Sequence, residues 1–105
     1  MPILTVENQQ IELDEDGHLT RFDAWTPNVA AVLADREGVG PLTSEHLEII
    51  QLIRDYYAKH RTGPMVHFVS KESGKSFRDL HRLFHKQPGK RAAKLAGLPK
   101  ASGCA

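Results

Sequence analysis

Glycine and proline divide the chain after residue 25 into short segments, and this division limits the fold more than any other feature. The breaks lie at Gly38 and Gly40, Gly63-Pro64, Gly74, Pro88-Gly89 and Gly97. Between them, apolar residues recur at intervals of three and four, which is the pattern of a helix with one buried face. Since glycine and proline are unfavourable inside helices, the pattern predicts about five short helices over residues 27–97.

Residues that cap helices support these boundaries. Thr26-Pro27 predicts the first helix, because threonine accepts hydrogen bonds from free amides and proline fits the first helical position. Thr43-Ser44 predicts the start of the longest helix, which runs to about His60 and whose wide apolar stripe, including Leu47, Ile50 and Ile53, indicates a central position. The other helices are predicted from Pro64 to about Glu72, from Ser76 to Phe84 and from Pro88 to Gly97, with Met65, Phe68, Val69, Leu80 and Leu83 facing inward.

The first residues have a different pattern. The mainly apolar residues 3–6 and 11–13 flank the polar stretch Asn8-Gln9-Gln10, which predicts a β-hairpin at about residues 3–13. The fold class is therefore predicted to be mainly α, with an N-terminal hairpin and a bundle of about five helices that has helix-turn-helix character. A single domain is predicted over residues 1–97, and residues 98–105, which have no periodicity, are predicted to form a mobile C-terminal arm.

The charges are divided along the chain. Residues 1–53 contain two basic and ten acidic residues, whereas residues 54–105 contain twelve basic and three acidic residues, for a net charge of +1. The basic half is able to attract nucleic acid or an acidic protein. Attraction between the two halves of the same fold explains the division equally well. No apolar stretch approaches the ~20 residues of a membrane span, and no signal peptide is recognisable, so a cytoplasmic protein is expected.

Cys104 is the only cysteine. One cysteine cannot form an internal disulfide or a multi-cysteine metal site. A thiol of ordinary pKa near 8.5 is about a tenth thiolate near pH 7.5, and Lys100, Lys94 and Arg91 are expected to lower that pKa and raise the thiolate fraction. Gly103 lets the backbone bend the thiol into the pocket of another protein. On these residues alone, a swinging carrier and an incidental surface thiol stay equally open.

The segment around Cys104 carries a family resemblance. Ala96-Gly97-Leu98-Pro99-Lys100, followed by Cys104 as the next-to-last residue, resembles the C-terminal arm of the DsrC/TusE sulfur-relay family. The resemblance continues along the chain at Asp14 to Gly17, Trp25, Leu42-Thr43 with Glu45-His46, Arg54 to Tyr57, and Arg82 to Phe84. Trp25 itself is interpreted as a packing anchor.

The resemblance implies a cytoplasmic carrier that accepts sulfane sulfur as a persulfide on Cys104 and passes it on. It implies protein donors of the DsrEFH or TusBCD type. It also implies an acceptor such as a tRNA-thiolating enzyme or a complex resembling sulfite reductase or heterodisulfide reductase. It implies no cofactor. Lys90 and Lys100 match family positions, and with Lys94 and Gly103 they are predicted to bind the partner or activate the thiolate, although solvated lysines are common on terminal helices.

The chain also departs from the family pattern. DsrC proper has a second arm cysteine at the position of Ala93, so a disulfide within this arm is impossible and the cysteine content is TusE-like. Ala101, Ser102 and Ala105 replace a proline, a threonine and a larger apolar residue. The segment between Ser70 and Phe77 is shorter than is usual in the family.

Other functions are weakly indicated. His81 and His85 share a helical face, but two histidines without a third ligand make a poor metal site, and none is predicted. No set of nucleophile, base and orienting residue is recognisable, so the chain is at most a sulfurtransferase-type relay protein rather than a stand-alone enzyme. Two alternatives are a nucleic-acid-binding regulator and a docking subunit of a sulfite-reductase-type complex that carries no sulfur.

Overall fold

The chain begins with a two-stranded antiparallel hairpin. In the computed structural model, which describes residues 3–99, β1 (Ile3–Val6) pairs with β2 (Gln9–Glu12), and Leu4 lies opposite Ile11. The loop is the residue pair Glu7-Asn8, both with positive φ, which is the geometry that matches the twist of a tight hairpin. The hairpin is confirmed, but it turns before Gln9, which the sequence pattern had assigned to the turn.

Five α-helices follow among the described residues, after a short 3-10 turn at Phe22–Ala24. They are α1 (Pro27–Arg36), α2 (Ser44–His60), α3 (Val66–Ser73), α4 (Phe77–Phe84) and α5 (Pro88–Leu95). The mainly α fold with an N-terminal hairpin is therefore confirmed. None of the described helices is both long and apolar enough to cross a bilayer.

The starts of α1 and α4 follow from local capping. The hydroxyl of Thr26 accepts a hydrogen bond from the amide of Val29 at 3.2 Å. At the start of α4, Ser76 and Asp79 exchange side-chain-to-backbone bonds of 3.2 and 3.3 Å, the reciprocal arrangement of a capping box. These contacts lie within three residues of sequence, which is why the starts of α1 and α4 were predictable.

The core is built around α2. Ile49, Ile50 and Ile53 are each at most 1% exposed, and α2 contacts α3, α4 and α5. The hairpin buries Leu4, Val6 and Ile11, and β1 packs against α1. The central position of α2 agrees with the wide apolar stripe in its sequence.

Three residues expected to face inward lie at the surface instead. Leu47 is 39% exposed, Met65 is 76% exposed and Phe68 is 37% exposed. The buried side of α2 centres on Ile49 and Ile53, and Leu47 lies to one side of it. On α3 the inward direction is set by Val69, 3% exposed, and Phe68 projects about 100° away from it, since each helical residue turns by that angle.

Candidate functional site

Two side chains from distant parts of the sequence hold the end of α5. The indole Nε1 of Trp25 donates a hydrogen bond to the carbonyl of Leu95 at 2.8 Å. The guanidinium of Arg54 donates from Nη1 to the carbonyl of Ala96 at 2.8 Å and to that of Phe22 at 3.3 Å. These contacts satisfy carbonyl groups that a helix leaves free at its C-terminus. We call Phe22, Trp25 and Arg54 the clasp.

Within the clasp, the aromatic rings of Phe22 and Trp25 stack on the charged guanidinium of Arg54. The Cζ of Arg54 lies 3.9 Å from the ring centroid of Phe22 and 4.4 Å from the ring of Trp25. Phe22 in turn contacts Tyr57, with 4.7 Å between ring centroids. Burial lowers the pKa of Arg54, and the neighbouring Asp55 carboxylate opposes that shift. The guanidinium nonetheless stays charged, because arginine does not lose its proton in proteins. The clasp thus combines cation–π attraction with charge-assisted hydrogen bonds.

Gly97 fits the clasp because it has no side chain. Its φ is +78°, and a Cβ at this position would lie 2.6 Å from Cδ1 of Trp25. The next residue, Leu98, is 4% exposed, and its amide donates to the carbonyl of Ala93 at 3.2 Å. Gly63 faces the Leu98 side chain. The packed part of the chain therefore includes Leu98, the first residue of the predicted arm.

Glu37 binds two basic residues of α5. Its carboxylate lies 3.1 Å from the Nζ of Lys94 and 3.8 Å from the Nε of Arg91. Arg91 also donates to the carbonyl of Phe84 at 3.1 Å. Lys94 therefore ties α5 to the end of α1, whatever further role it has. Lys90, by contrast, is exposed and has no carboxylate partner within residues 3–99.

Cys104, Gly103 and Lys100, the remaining predicted site residues, lie outside the described residues. The structure establishes the position from which they depart, just after Leu98. Six residue steps separate Leu98 from Cys104, and a fully extended chain of that length spans at most about 22 Å between Cα atoms. A shallow cleft of about 450 Å³ adjoins the clasp at Phe22 and is lined by Arg21, Asp23, Ala58 and Arg61.

The role of Arg54 was not foreseen from sequence, although one signal was present. Arg54 lies four residues after Ile50 and three before Tyr57, within the apolar stripe of α2. An arginine at such a position covers apolar surface with its stem and needs acceptors for its head. Trp25 was interpreted as a packing anchor, and its contacts with Gly97 and Leu95 show what it anchors.

Metal ligation has no support in this part of the molecule. Across residues 3–99, no three His, Cys, Asp or Glu side chains lie close enough together to hold a metal ion. His81 is exposed on α4, and His85 ends that helix with φ +66°.

Comparisons with known proteins cover nearly the whole chain. The family model described as DsrC like protein matches residues 5–105. The chain is 40% identical over 104 residues to the gamma subunit of a dissimilatory-type sulfite reductase from Nitratidesulfovibrio vulgaris (strain Hildenborough), with 99% of each chain covered. It is 37% identical over 109 residues to the sulfurtransferase TusE of Escherichia coli (strain K12), covering 97% of this chain and 99% of that one.

Solved structures agree with this similarity. The crystal structure titled dissimilatory sulfite reductase I (DsrI) superposes with a TM-score of 0.90 at 38% identity, over 99% of this chain and all of that one. The oxidized gamma-subunit of the dissimilatory sulfite reductase (DsrC) from Archaeoglobus fulgidus gives a TM-score of 0.88 at 36% identity, with the same coverage.

Proposed function

The chain belongs to the family of DsrC-like proteins, and from this premise we propose that it is a sulfur carrier that accepts sulfane sulfur as a persulfide on Cys104 and transfers it to a partner protein. The match to the family model carries the proposal, because it extends through residue 105 and so includes Cys104. The relatives named as a sulfurtransferase and as a sulfite reductase subunit support the same chemistry.

The transfer is a thiol exchange without net oxidation. The thiolate of Cys104 attacks the outer sulfur of a donor persulfide, the sulfur–sulfur bond of the donor breaks, and the donor thiolate leaves. The outer sulfur, with its proton, is then bonded to Cys104. In the second step an acceptor thiolate attacks that sulfur and Cys104 leaves as a thiolate. No cofactor is needed, and the protein contributes reach, orientation and a reactive thiolate.

The clasp supports this proposal because it fixes the position from which the C-terminal segment, residues 99–105, begins. A carrier must present its thiol to the sites of other proteins, which requires a short tether on a stable domain. We assign Lys90, Lys94, Lys100 and Gly103 to partner contact and thiolate activation, with Lys94 limited by its bond to Glu37. The proposed donors are sulfurtransferases of the DsrEFH or TusBCD type. The proposed acceptors are a tRNA-thiolating enzyme or a complex resembling sulfite reductase or heterodisulfide reductase.

The single cysteine defines the type of relay. Ala93 occupies the position of a second arm cysteine, so sulfur cannot bridge two cysteines of one chain. Each sulfur transfer therefore requires a second protein as donor or acceptor. We propose that the chain is a cytoplasmic relay component rather than a stand-alone enzyme.

The proposal is tested by the intact mass of the protein after incubation with a persulfide donor. The expected result is a gain of one sulfur atom that a reductant reverses, and no gain in the Cys104→Ser variant. If no donor adds sulfur while the thiol still reacts with an alkylating reagent, the carrier function is wrong. The docking subunit and the nucleic-acid-binding regulator then become the better explanations.

A further inference from the structure

Two aromatic clusters, one on each side of α3, involve side chains of three helices. On one side of α3, the ring of Phe68 lies 4.8 Å from that of Tyr56, which is 4.4 Å from the ring of His60. On the other side, His67 lies 5.3 Å from Phe77 at the start of α4. We call these five residues, together with Met65, the aromatic face.

Three of the five large apolar side chains that are exposed among residues 3–99 belong to the aromatic face. Phe77 is 44% exposed, Phe68 is 37% exposed and Met65 is 76% exposed, whereas Phe84 is fully buried. Single exposed apolar side chains are ordinary, but these three lie within thirteen residues of sequence on and beside α3, and a group of exposed apolar side chains marks an interaction surface. Aromatic residues and methionine are also the types enriched at protein interfaces.

The charge around the aromatic face is positive. Residues 59–82 contain six basic residues and two acidic ones, and three histidines besides. Glu45 occupies two of the cations, since its carboxylate lies 3.2 Å from Arg82 and 3.3 Å from Lys75.

Of the other four basic residues in this range, two lie on α3 and α4. Lys71 lies one helical turn after His67, and Arg78 directly follows Phe77; neither has a carboxylate partner within residues 3–99. Glu72, the single carboxylate on α3, is exposed one helical turn after Phe68, and Lys71 and Arg78 together outweigh its charge. The field at this surface therefore favours an acidic partner.

We propose that the aromatic face is a docking surface for an acidic protein, which places an apolar side chain between Phe68 and Phe77 and carboxylates against Lys71 and Arg78. Central aromatic anchors supply most of the affinity of such an interface, and rim charges supply orientation and rate. The docking requires no thiol, so it goes beyond the carrier function and does not depend on Cys104.

Two other occupants fit less well. A symmetric pair of copies joined through this face would bring Lys71 and Arg78 of both chains together, and a head-to-tail contact with the acidic half of a second copy would build a ring or an open filament rather than a pair. Single-stranded RNA stacks on freely presented ring faces. Here the rings lean on one another at 38–57°, and Met65, the most exposed of these apolar side chains, offers no ring.

Photo-crosslinking in the native host tests the proposal. The full chain carries Cys104→Ser, so that no sulfur chemistry contributes, and p-benzoylphenylalanine replaces Met65. The expected result is an adduct with one protein, through a segment that mass spectrometry shows to be rich in Asp and Glu. The yield is expected to fall about tenfold or more in the double variant Lys71→Glu, Arg78→Glu, because each 1.4 kcal/mol of lost affinity is a factor of ten.

Matched controls separate docking from general charge effects. Arg36→Glu reverses another exposed arginine without a carboxylate partner in residues 3–99, and it is expected to leave the yield unchanged. The photo-crosslinker in place of Ile3, which is 54% exposed on β1, is expected to give no such adduct. Lys71→Ser, Arg78→Ser is a milder pair if charge reversal disturbs folding. An adduct with RNA or with a second copy, a contacted segment that is not acidic, a yield indifferent to Lys71 and Arg78, or no adduct overturns the proposal.

Discussion

Gly97 determines how the chain packs at the start of the C-terminal segment. Its positive φ and its contact with Trp25 both exclude a side chain. Gly38 has nearly the same φ, +77°, but a Cβ there would meet nothing within 4 Å. Gly97 is therefore needed for both its conformation and its lack of a side chain, whereas Gly38 is needed for its conformation alone.

Gly97→Ala is expected to lower the free energy of unfolding by more than Gly38→Ala. The left-handed conformation costs an alanine about 1–2 kcal/mol at either position. At Gly97, overpacking against Trp25 adds about 1–3 kcal/mol. Urea denaturation of both variants measures the difference. Equal losses would mean that Trp25 moves aside at no cost, and that the clasp does not hold this end of the chain.

The contacts that were predictable from sequence are the local ones. The caps at Thr26 and Ser76 join residues three apart, so their sequence contains both partners. The clasp joins residues 42 and 70 positions apart, and no periodicity places Arg54 or Trp25 beside Leu95 and Ala96. Cys104 was found through its chemistry and its resemblance to a family. The surface position of Phe68 was not found, because the short helix α3 has too few apolar residues to define its buried side.

At the scale of elements, α2 is fastened at its first turn by two side chains. His46 is 7% exposed; its Nδ1 accepts from the amide of Thr43 at 3.0 Å, and this leaves the proton on Nε2, which donates to the carbonyl of Leu83 at 2.7 Å. One residue before, Glu45 reaches Lys75 and Arg82. The first turn of α2 is thereby connected to α4 and to the turn that precedes it. The sequence pattern predicts Glu45 and His46 at this helix start but indicates neither connection.

Glu45→Gln is expected to make stability less dependent on pH. Hydrogen bonds from Arg82 and then Lys75 hold the pKa of Glu45 below its ordinary value of 4.5. A carboxyl whose pKa is lower in the folded state stabilises the fold fully above the unfolded value, and this contribution disappears as the pH falls through the folded value. The native chain should thus melt at a higher temperature than the variant at pH 7, and the difference should vanish in acid.

Glu48→Gln is the control for this measurement. Glu48 is exposed on α2 three residues after Glu45 and has no ion pair within residues 3–99. Its replacement should leave the melting temperature nearly unchanged at both pH values. A Glu45→Gln difference that persisted in acid would show that the side chain acts through packing rather than through its charge.

On the scale of the whole molecule, the last turns of α2 connect the clasp with the aromatic face. Tyr57 lies against Phe22 of the clasp, and its neighbour Tyr56 lies against Phe68 of the aromatic face. A protein docked on the aromatic face is therefore held by the same helix that fixes the origin of the segment bearing Cys104. Docking of the partner and entry of the Cys104 thiol into the partner's site would then be two linked binding events. The effective concentration of the thiol in the second event depends on the length of the tether, the chain between Leu98 and Cys104.

Lengthening that tether is expected to slow sulfur uptake without changing the thiol. Four residues, Gly-Ser-Gly-Ser, inserted between Pro99 and Lys100 extend the six steps from Leu98 to Cys104 to ten. For a flexible tether, the effective concentration of the thiol at the donor falls roughly as the −3/2 power of length, so uptake from a donor protein should slow about twofold. Alkylation by iodoacetamide, which needs no docking, should keep its rate. The same insertion between Gly38 and Val39, in the loop after α1, should change neither rate. If uptake is indifferent to the longer tether, the thiol reaches its donor independently of the domain that roots it, and the clasp serves stability alone.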